Sequence, residues 1–264
     1  MTRPVIEVEG LVHSAAGGHF DILREIGFCV AAGERLSVIG PNGAGKTTLL
    51  KCLLRIVPAH AGRILVAGRP LADYSQRELA QQMSYVPQLE GRFFPYTVRE
   101  FVTMGRYPYL RPFRSVTRED ERAVAEALER TATAAFVERR LETLSGGERQ
   151  KVFIAAALAQ QARILLLDEP TAFLDYRHQV EVERILHDVN RDTGVTVVAV
   201  THDLNGALAW SERVLALKDG TVAFDGPVQD LVQGGALERI YGIGFCQAEH
   251  PDGGPPLLVP GGRR

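Results

Sequence analysis

From Val5 to Glu9 the chain alternates apolar and acidic side chains at period two, and Phe28-Cys29-Val30 after Ile26 continues the theme. Successive side chains of a strand point to opposite faces, so this alternation predicts strands with one covered and one solvated face near the N-terminus. The pattern then changes. Arg35–Ile39, Ile164–Leu167 and Val195–Val200 are short, nearly unbroken apolar runs, as strands covered on both faces of a parallel sheet read. Helical patterns lie between them, including a helix predicted from about Thr47 to Ile56, stopped by Pro58, and an apolar one along Val152–Ala159. Strands alternating with helices predict an α/β fold with a mainly parallel core sheet and an antiparallel fringe at the start.

Between roughly Pro87 and Leu144 the apolar strands vanish and helix starts take their place. Thr97-Val-Arg-Glu100 matches a capping box, and Thr117 precedes Glu119 and Asp120 at the head of a stretch rich in Ala, Leu, Glu and Arg. This segment is expected to be a helical insertion. After His250 the chain is rich in Pro and Gly, which predicts an extended tail.

Of 264 residues, 45% are hydrophobic and 23% charged, which excludes disorder and leaves enough chain for a substantial core. A formal net charge of -2 offers no global field for a polyanion, so no nucleic acid partner is expected. The longest apolar stretches, such as Val152–Ala159, fall far short of the roughly 18 to 20 residues that span a bilayer. The N-terminus lacks an apolar secretory core, and Cys29, Cys52 and Cys246 form no CxxC pair, so a reducing, cytoplasmic setting is expected.

Three motifs carry chemistry. Gly40-Pro-Asn42-Gly43-Ala-Gly45-Lys46-Thr47 fits GxxxxGK[ST], follows a predicted strand and opens a helix. In that context backbone N–H groups face phosphates, Lys46 places a charge on the outer phosphates, and the Thr47 hydroxyl suits Mg²⁺. Ile164-Leu-Leu-Leu-Asp168-Glu169-Pro170 is a buried strand ending in two carboxylates, where Asp168 is suited to hold Mg²⁺ and Glu169 to polarise an attacking water. A polar strand end before a turn is the bland alternative for that pair. Leu144-Ser145-Gly146-Gly147-Glu148 precedes the apolar helix; Ser145 and Glu148 have capping-box spacing, while Gly146 and Gly147 would also let a phosphate approach the backbone closely. Taken alone, the cap is the simpler reading.

These residues together, with GPNGAGKTT at 40–48, Gln88, LSGGERQ at 144–150, ILLLDEP at 164–170, Phe173-Leu174-Asp175 and His202 in that order, resemble the nucleotide-binding subunit of an ABC transporter. The resemblance runs from about Val5 to Gly242, and LSGGE is its most specific element. It implies a phosphate-loop NTPase core with a mainly parallel sheet, an N-terminal antiparallel β subdomain and a helical insertion. The expected organisation is one ATPase domain over 1–242, with the insertion at about 88–144, and a tail over 243–264.

The resemblance further implies a head-to-tail homodimer with two ATPs at its interface. Each ATP, with Mg²⁺, would lie on Asn42, Gly43, Gly45, Lys46, Thr47 and Thr48 of one chain and under Ser145, Gly146 and Gly147 of the other. Gln88 is expected at Mg²⁺ or the attacking water, and His202 at the γ-phosphate. Asp175 would link the two sites. Without the family, Gln88 reads as a polar strand end and His202 as part of a cap with Asp203 as capping residue. In place of the family's usual adenine-stacking ring near 16–17, this chain has Ala15-Ala-Gly-Gly-His19-Phe20, so His19 or Phe20 would have to substitute from a shifted loop.

The function so implied is ATP hydrolysis powering transport through separate integral membrane permease subunits, from the cytoplasmic face of the membrane. Arg106-Tyr-Pro-Tyr-Leu110-Arg111-Pro-Phe113-Arg114 is the stretch expected to contact them. Gly105–Pro108, Arg177–Gln179, Val198–Asn205 and Leu237–Gly242 look most like the subfamily that energises uptake of iron-siderophore, haem or cobalamin complexes, which work with a separate solute-binding protein. The alternatives are an importer for zinc, manganese or another solute, a soluble ABC ATPase, and a phosphate-loop kinase; the kinase would lack LSGGE.

Overall fold

The computed structural model describes residues 4–15, 20–88, 95–110, 115–250 and 253–261. In chain order its elements are β1 (Pro4–Ser14), β2 (Asp21–Ala31), β3 (Arg35–Ile39), α1 (Lys46–Leu53), β4 (Ala61–Val66), β5 (Arg69–Pro70), α2 (Gln76–Gln82), β6 (Met83–Val86), α3 (Val98–Met104), α4 (Arg118–Arg130), α5 (Gly146–Ala159), β7 (Ile164–Asp168) and α6 (Tyr176–Thr193). They continue with β8 (Thr196–Val200), α7 (Leu204–Trp210), β9 (Arg213–Lys218), β10 (Thr221–Pro227), α8 (Val228–Gln233), α9 (Ala236–Tyr241), β11 (Phe245–Ala248) and β12 (Leu257–Pro260). Two compact units divide the chain, Met1–Asp73 with Val198–Arg264, and Tyr74–Val197.

In the first unit β1 pairs antiparallel with both β2 and β4. The alternation read near the N-terminus becomes Ile6, Val8 and Leu11 buried on one face, with the register slipping between Val8 and Leu11. Strand β3 is buried from Leu36 to Ile39 and runs parallel to β9, while β10 returns antiparallel to β9. Ile39, Ala207, Leu208, Val214, Leu237 and Ile240 share one core cluster, so the strand that leads into the phosphate-loop motif packs against the helices that follow β8 and β10. Helix α1 ends at Leu53, earlier than the predicted Ile56, because Arg55 takes a left-handed conformation with φ 54 and turns the chain away.

The tail does more than extend. β11 and β12 pair antiparallel, and Leu258, 4% exposed, drops into the same cluster as Ile39. Burying that one leucine is worth about 2 kcal/mol, added to the four-residue pairing of β11 with β12.

In the second unit β6 and β7 run parallel. Helices α3, α4 and α5 pack round Val98, Val102, Val124, Leu128, Val152 and Ala155. The predicted capping box at Thr97/Glu100 forms, and the predicted helix start at Thr117 proves to be a second box with Asp120, each side-chain oxygen accepting the N–H three residues on and each acid closing back. Between 88 and 144 the described residues hold helices and short turns, with one isolated bridge from Thr97 to Arg140.

Arg106 departs from its expected role as part of a basic contact surface. It is 2% exposed, pairs with Asp120 at 2.8 Å, and donates to the Ala159 carbonyl and to Gln161 Oε1 at 2.8 and 2.9 Å. The reason is local: the turn after α3 points its guanidinium at the C-terminus of α5, whose last carbonyls need donors. Tyr107 beside it is 79% exposed, and 111–114 lie outside the described residues.

Candidate functional site

The phosphate-loop motif occupies the turn between β3 and α1. Gly45 caps α1 with φ 97, and a Cβ there would stand 2.6 Å from Leu23 Cδ2 and 3.2 Å from the Ile22 carbonyl oxygen. Only glycine meets both conditions, and the close approach to β2 lets α1 begin at Lys46 with its first N–H groups turned back toward the loop. Lys46 is buried, and its Nζ donates to the carbonyls of Gly40 at 2.7 Å and Pro41 at 3.0 Å. Asn42 and Gly43 are exposed at the turn, and Thr47 and Thr48 are half-buried in the first turn of α1.

His202 follows β8 in the same unit and is exposed. The cap that could have explained it does form: Asp203 Oδ1 accepts the Gly206 N–H at 3.0 Å at the head of α7.

The two carboxylates lie in the other unit, at the end of β7. Asp168 is 2% exposed and accepts from the Tyr85 hydroxyl at 3.2 Å. Burial first, then the neighbouring Asp168 charge and the hydrogen bond to it, push the Tyr85 phenol far above its ordinary value, so it stays a donor. Glu169 takes φ 51, a left-handed conformation that costs a non-glycine residue about 1 kcal/mol or more. That turn ends the strand and swings the carboxylate to Gln88, whose Nε2 donates to Glu169 Oε2 at 3.1 Å. Two residues called from separate motifs, 81 positions apart, thus meet.

The Ser145 capping box also forms. Ser145 Oγ accepts the Glu148 N–H at 3.2 Å, and Glu148 Oε2 accepts the Ser145 N–H at 2.8 Å. That backbone bond, ahead of the opposing effect of burial, holds the Glu148 carboxyl below its ordinary value. Ser145 and Gly146 are exposed, and among the described residues nothing lies within 4 Å of a Cβ built on Gly146, so a large anion can approach this helix start.

Gly147 is different: a Cβ there would stand 2.1 Å from His178 Cδ2. The His178 ring rests on the glycine backbone while its Nδ1 donates to Asp175 Oδ1 at 2.8 Å, and the same oxygen accepts the His178 N–H at 2.9 Å to cap α6. These bonds, the backbone one first, lower the Asp175 carboxyl. Sequence reasoning missed Tyr85, whose partner Asp168 is distant along the chain, and read His178 only within the subfamily stretch Arg177–Gln179, not as the residue that covers Gly147. Of the adenine-loop residues, 16–19 lie outside the described residues, and Phe20 is 61% exposed.

A glycine loop opening a helix after a parallel strand, with the lysine and hydroxyl that such loops present to phosphates, defines the class as a phosphate-loop nucleotide-binding protein. The family model for ABC transporter matches residues 23–172, and the chain belongs to that family. It is 36% identical over 264 residues to the ferric enterobactin transport ATP-binding protein FepC of Escherichia coli, covering 100% of this chain and 97% of that one. To the hemin import ATP-binding protein HmuV of Streptomyces coelicolor it is 45% identical, over 95% of this chain and 91% of the relative.

Among solved structures, a chain described as a metal-chelate type ABC transporter in an inward-facing conformation is 29% identical with a TM-score of 0.85, covering 98% of both chains. The ATP-binding cassette MJ0796, solved as a dimer in a post-hydrolysis state bound to ADP and Pi, is 28% identical with a TM-score of 0.74, over 84% of this chain and 98% of that one. The protein is accordingly an ATP-binding ATPase subunit of the ABC class. Among the described residues no helix is long and apolar enough to cross a membrane.

Proposed function

We propose that this chain is the ATP-hydrolysing subunit of an importer for ferric siderophore or haem complexes, working as a homodimer beneath separate permease subunits at the cytoplasmic face of the membrane. The Gln88–Glu169 bond is the observation that supports the hydrolytic half of this reading, since it sets an amide and a carboxylate side by side at a strand end where a water can be oriented. Near end-to-end similarity to import ATP-binding proteins for ferric enterobactin and hemin supports the cargo class. Cobalamin complexes belong to the same chemical group of large chelates, and a solute-binding protein would deliver any of them to the permease.

In this reading Asn42, Gly43, Gly45 and Thr48 line the phosphates through the loop backbone and the first turn of α1, and Lys46 offsets charge on the outer phosphates. Thr47 and Asp168 offer hard oxygen donors of the kind Mg²⁺ takes, as does the Gln88 side-chain carbonyl, and the Tyr85 bond fixes the Asp168 carboxylate. When bound, the ion neutralises charge on the β- and γ-phosphates. Glu169 polarises the attacking water and takes its proton as the new phosphorus–oxygen bond forms and the bond to the β-phosphate oxygen breaks. His202 contacts the γ-phosphate. Ser145, Gly146 and Gly147 close over the ATP of the partner subunit, and Asp175 connects the two sites, so binding closes the dimer and hydrolysis reopens it.

Gene deletion followed by uptake of labelled ferric siderophore, haem and cobalamin under iron limitation tests the cargo. Loss of uptake of one of these chelates is expected. Unchanged uptake of all three, with loss of zinc, manganese or another solute, contradicts the cargo class while leaving the ATPase chemistry in place.

A further inference from the structure

The ending Leu237-Glu-Arg-Ile-Tyr241-Gly242 stands far along the chain from every nucleotide motif, yet its tyrosine touches the phosphate loop. Gly40 is buried, and its N–H donates to the Tyr241 hydroxyl at 3.1 Å. A buried backbone donor needs an acceptor inside the protein, and here a side chain from α9 supplies it. Gly40 itself has φ 140, and a Cβ there would stand 2.1 Å from the Leu217 carbonyl oxygen. Glycine is therefore required at the position, but a glycine carries no side chain to limit its own rotation, so its restraint must come from outside.

The other polar group of Gly40 is also in use. Its carbonyl accepts from Lys46 Nζ at 2.7 Å, with the Pro41 carbonyl at 3.0 Å. One residue thus joins the tyrosine hydroxyl on one side to the lysine on the other.

Helix α9 is well anchored for this purpose. Leu237 and Ile240 are buried in the cluster that holds Ile39, the residue before Gly40, and the Arg239 carbonyl accepts from Lys218 Nζ. Phe245 meets the Tyr241 ring edge-on with centroids 5.9 Å apart. The hairpin of β11 and β12 is latched in turn, with Leu258 N–H donating to Asn205 Oδ1 at 2.7 Å and Asn205 Nδ2 donating to the Leu258 carbonyl at 3.2 Å. Burial pushes the Tyr241 phenol up to about 12, against the opposing effect of the Gly40 bond, so the hydroxyl stays neutral throughout the physiological range.

We propose that Tyr241 is a positioning residue for ATP binding, holding Gly40 so that the phosphate loop and Lys46 are preorganised for the outer phosphates. This rests on the reading of Lys46 as a phosphate ligand. Preorganisation acts on affinity, since a loop already held in its binding geometry loses less freedom when the ligand arrives.

The test uses the full chain with Tyr241→Phe, which keeps the ring against Phe245 and removes only the hydroxyl. ATPase kinetics, equilibrium binding of fluorescent ATP and ADP, and thermal unfolding are measured alongside Lys46→Ala. The expected result is a three- to tenfold rise in KM and in the ATP dissociation constant, a smaller change for ADP, kcat within twofold, and a melting temperature within a few degrees. A lowered melting temperature with KM and ATP affinity within twofold of wild type would reduce the tyrosine to a packing role and overturn the proposal. Lys46→Ala separates the two readings: if it leaves ATP binding intact, the phosphate-loop assignment itself fails, and if it abolishes binding while Tyr241→Phe changes nothing, only this inference fails. Hydrogen exchange across 36–45 in the wild-type chain needs no variant, and fast exchange at the Gly40 amide would equally contradict it.

Discussion

Gln88 Nε2 donates to Glu169 Oε2 at 3.1 Å, joining a residue two positions past the end of β6 to the residue just past the end of β7. The two strands are parallel neighbours, paired from Met83 with Ile164 to Val86 with Leu167, so the bond is made at the same end of two adjacent strands. Strand ends of a parallel sheet are where ligands bind in α/β folds. The amide hydrogen bond fixes the direction of the carboxylate.

Replacing Gln88 by Ala should therefore remove the bond that orients Glu169. The expected outcome is a fall in kcat of about tenfold, smaller than the roughly hundredfold or greater loss expected on removing the general base itself, with ATP affinity within threefold. Steady-state hydrolysis with parallel nucleotide binding checks it, and an unchanged kcat would remove Gln88 from the account.

The contact between His178 and Gly147 gives a steric prediction. Gly147→Ala puts a methyl 2.1 Å from His178 Cδ2, so the ring must leave and its bond to Asp175 with it. Overpacking of this kind costs about 1–3 kcal/mol. Thermal unfolding should show that loss, and ATPase activity should fall while ATP binding by the isolated chain stays intact. Adding His178→Ala restores the space, so the double variant should be more stable than Gly147→Ala alone. Simple addition of the two losses would contradict the contact.

Asp120 carries a stability prediction with a definite pH sign. Burial alone would raise its carboxyl, but hydrogen bonds from Thr117 and Arg106 and the guanidinium charge outweigh burial and hold it below the ordinary value. A carboxyl depressed in the folded state contributes stability that is fully present above its unfolded value of about 3.9 and is lost as pH falls through the folded value. Asp120→Asn strands the buried Arg106 cation and should cost about 3–5 kcal/mol at pH 7. Denaturant titrations at pH 7 and pH 3 check this: the gap between wild type and variant should narrow at the lower pH, and a gap of equal size at both would contradict the ion pair.

What could be read from the sequence was local. The turn from β3 into α1, the boxes at Thr97 and Ser145, the helix start at Thr117, and the buried runs that became β3, β7 and β8 each lie within a few residues, where spacing reports geometry directly. Candidate site residues could be named from the sequence chiefly where their motifs are contiguous, as at 40–48, 144–150 and 164–170. What escaped is held by partners far apart along the chain: Tyr85 on Asp168, His178 on Gly147, Tyr241 on Gly40. Arg106 looked like surface chemistry because an arginine beside tyrosine and proline has no periodic signature of burial, and only its pairing with Asp120 and Gln161 shows otherwise. The tail read as merely extended because its antiparallel partner, Phe245–Ala248, has no strong alternation of its own.

The central claim is that Glu169 activates the water that cleaves ATP, and it is tested most directly by single-turnover hydrolysis of purified Glu169→Gln protein, with ATP-dependent dimerisation followed on the same sample. The amide preserves shape and hydrogen bonding but cannot take the proton, so cleavage should fall at least a hundredfold while ATP binding persists and the ATP-bound dimer accumulates. Cleavage at a rate near that of the wild-type chain would contradict the account.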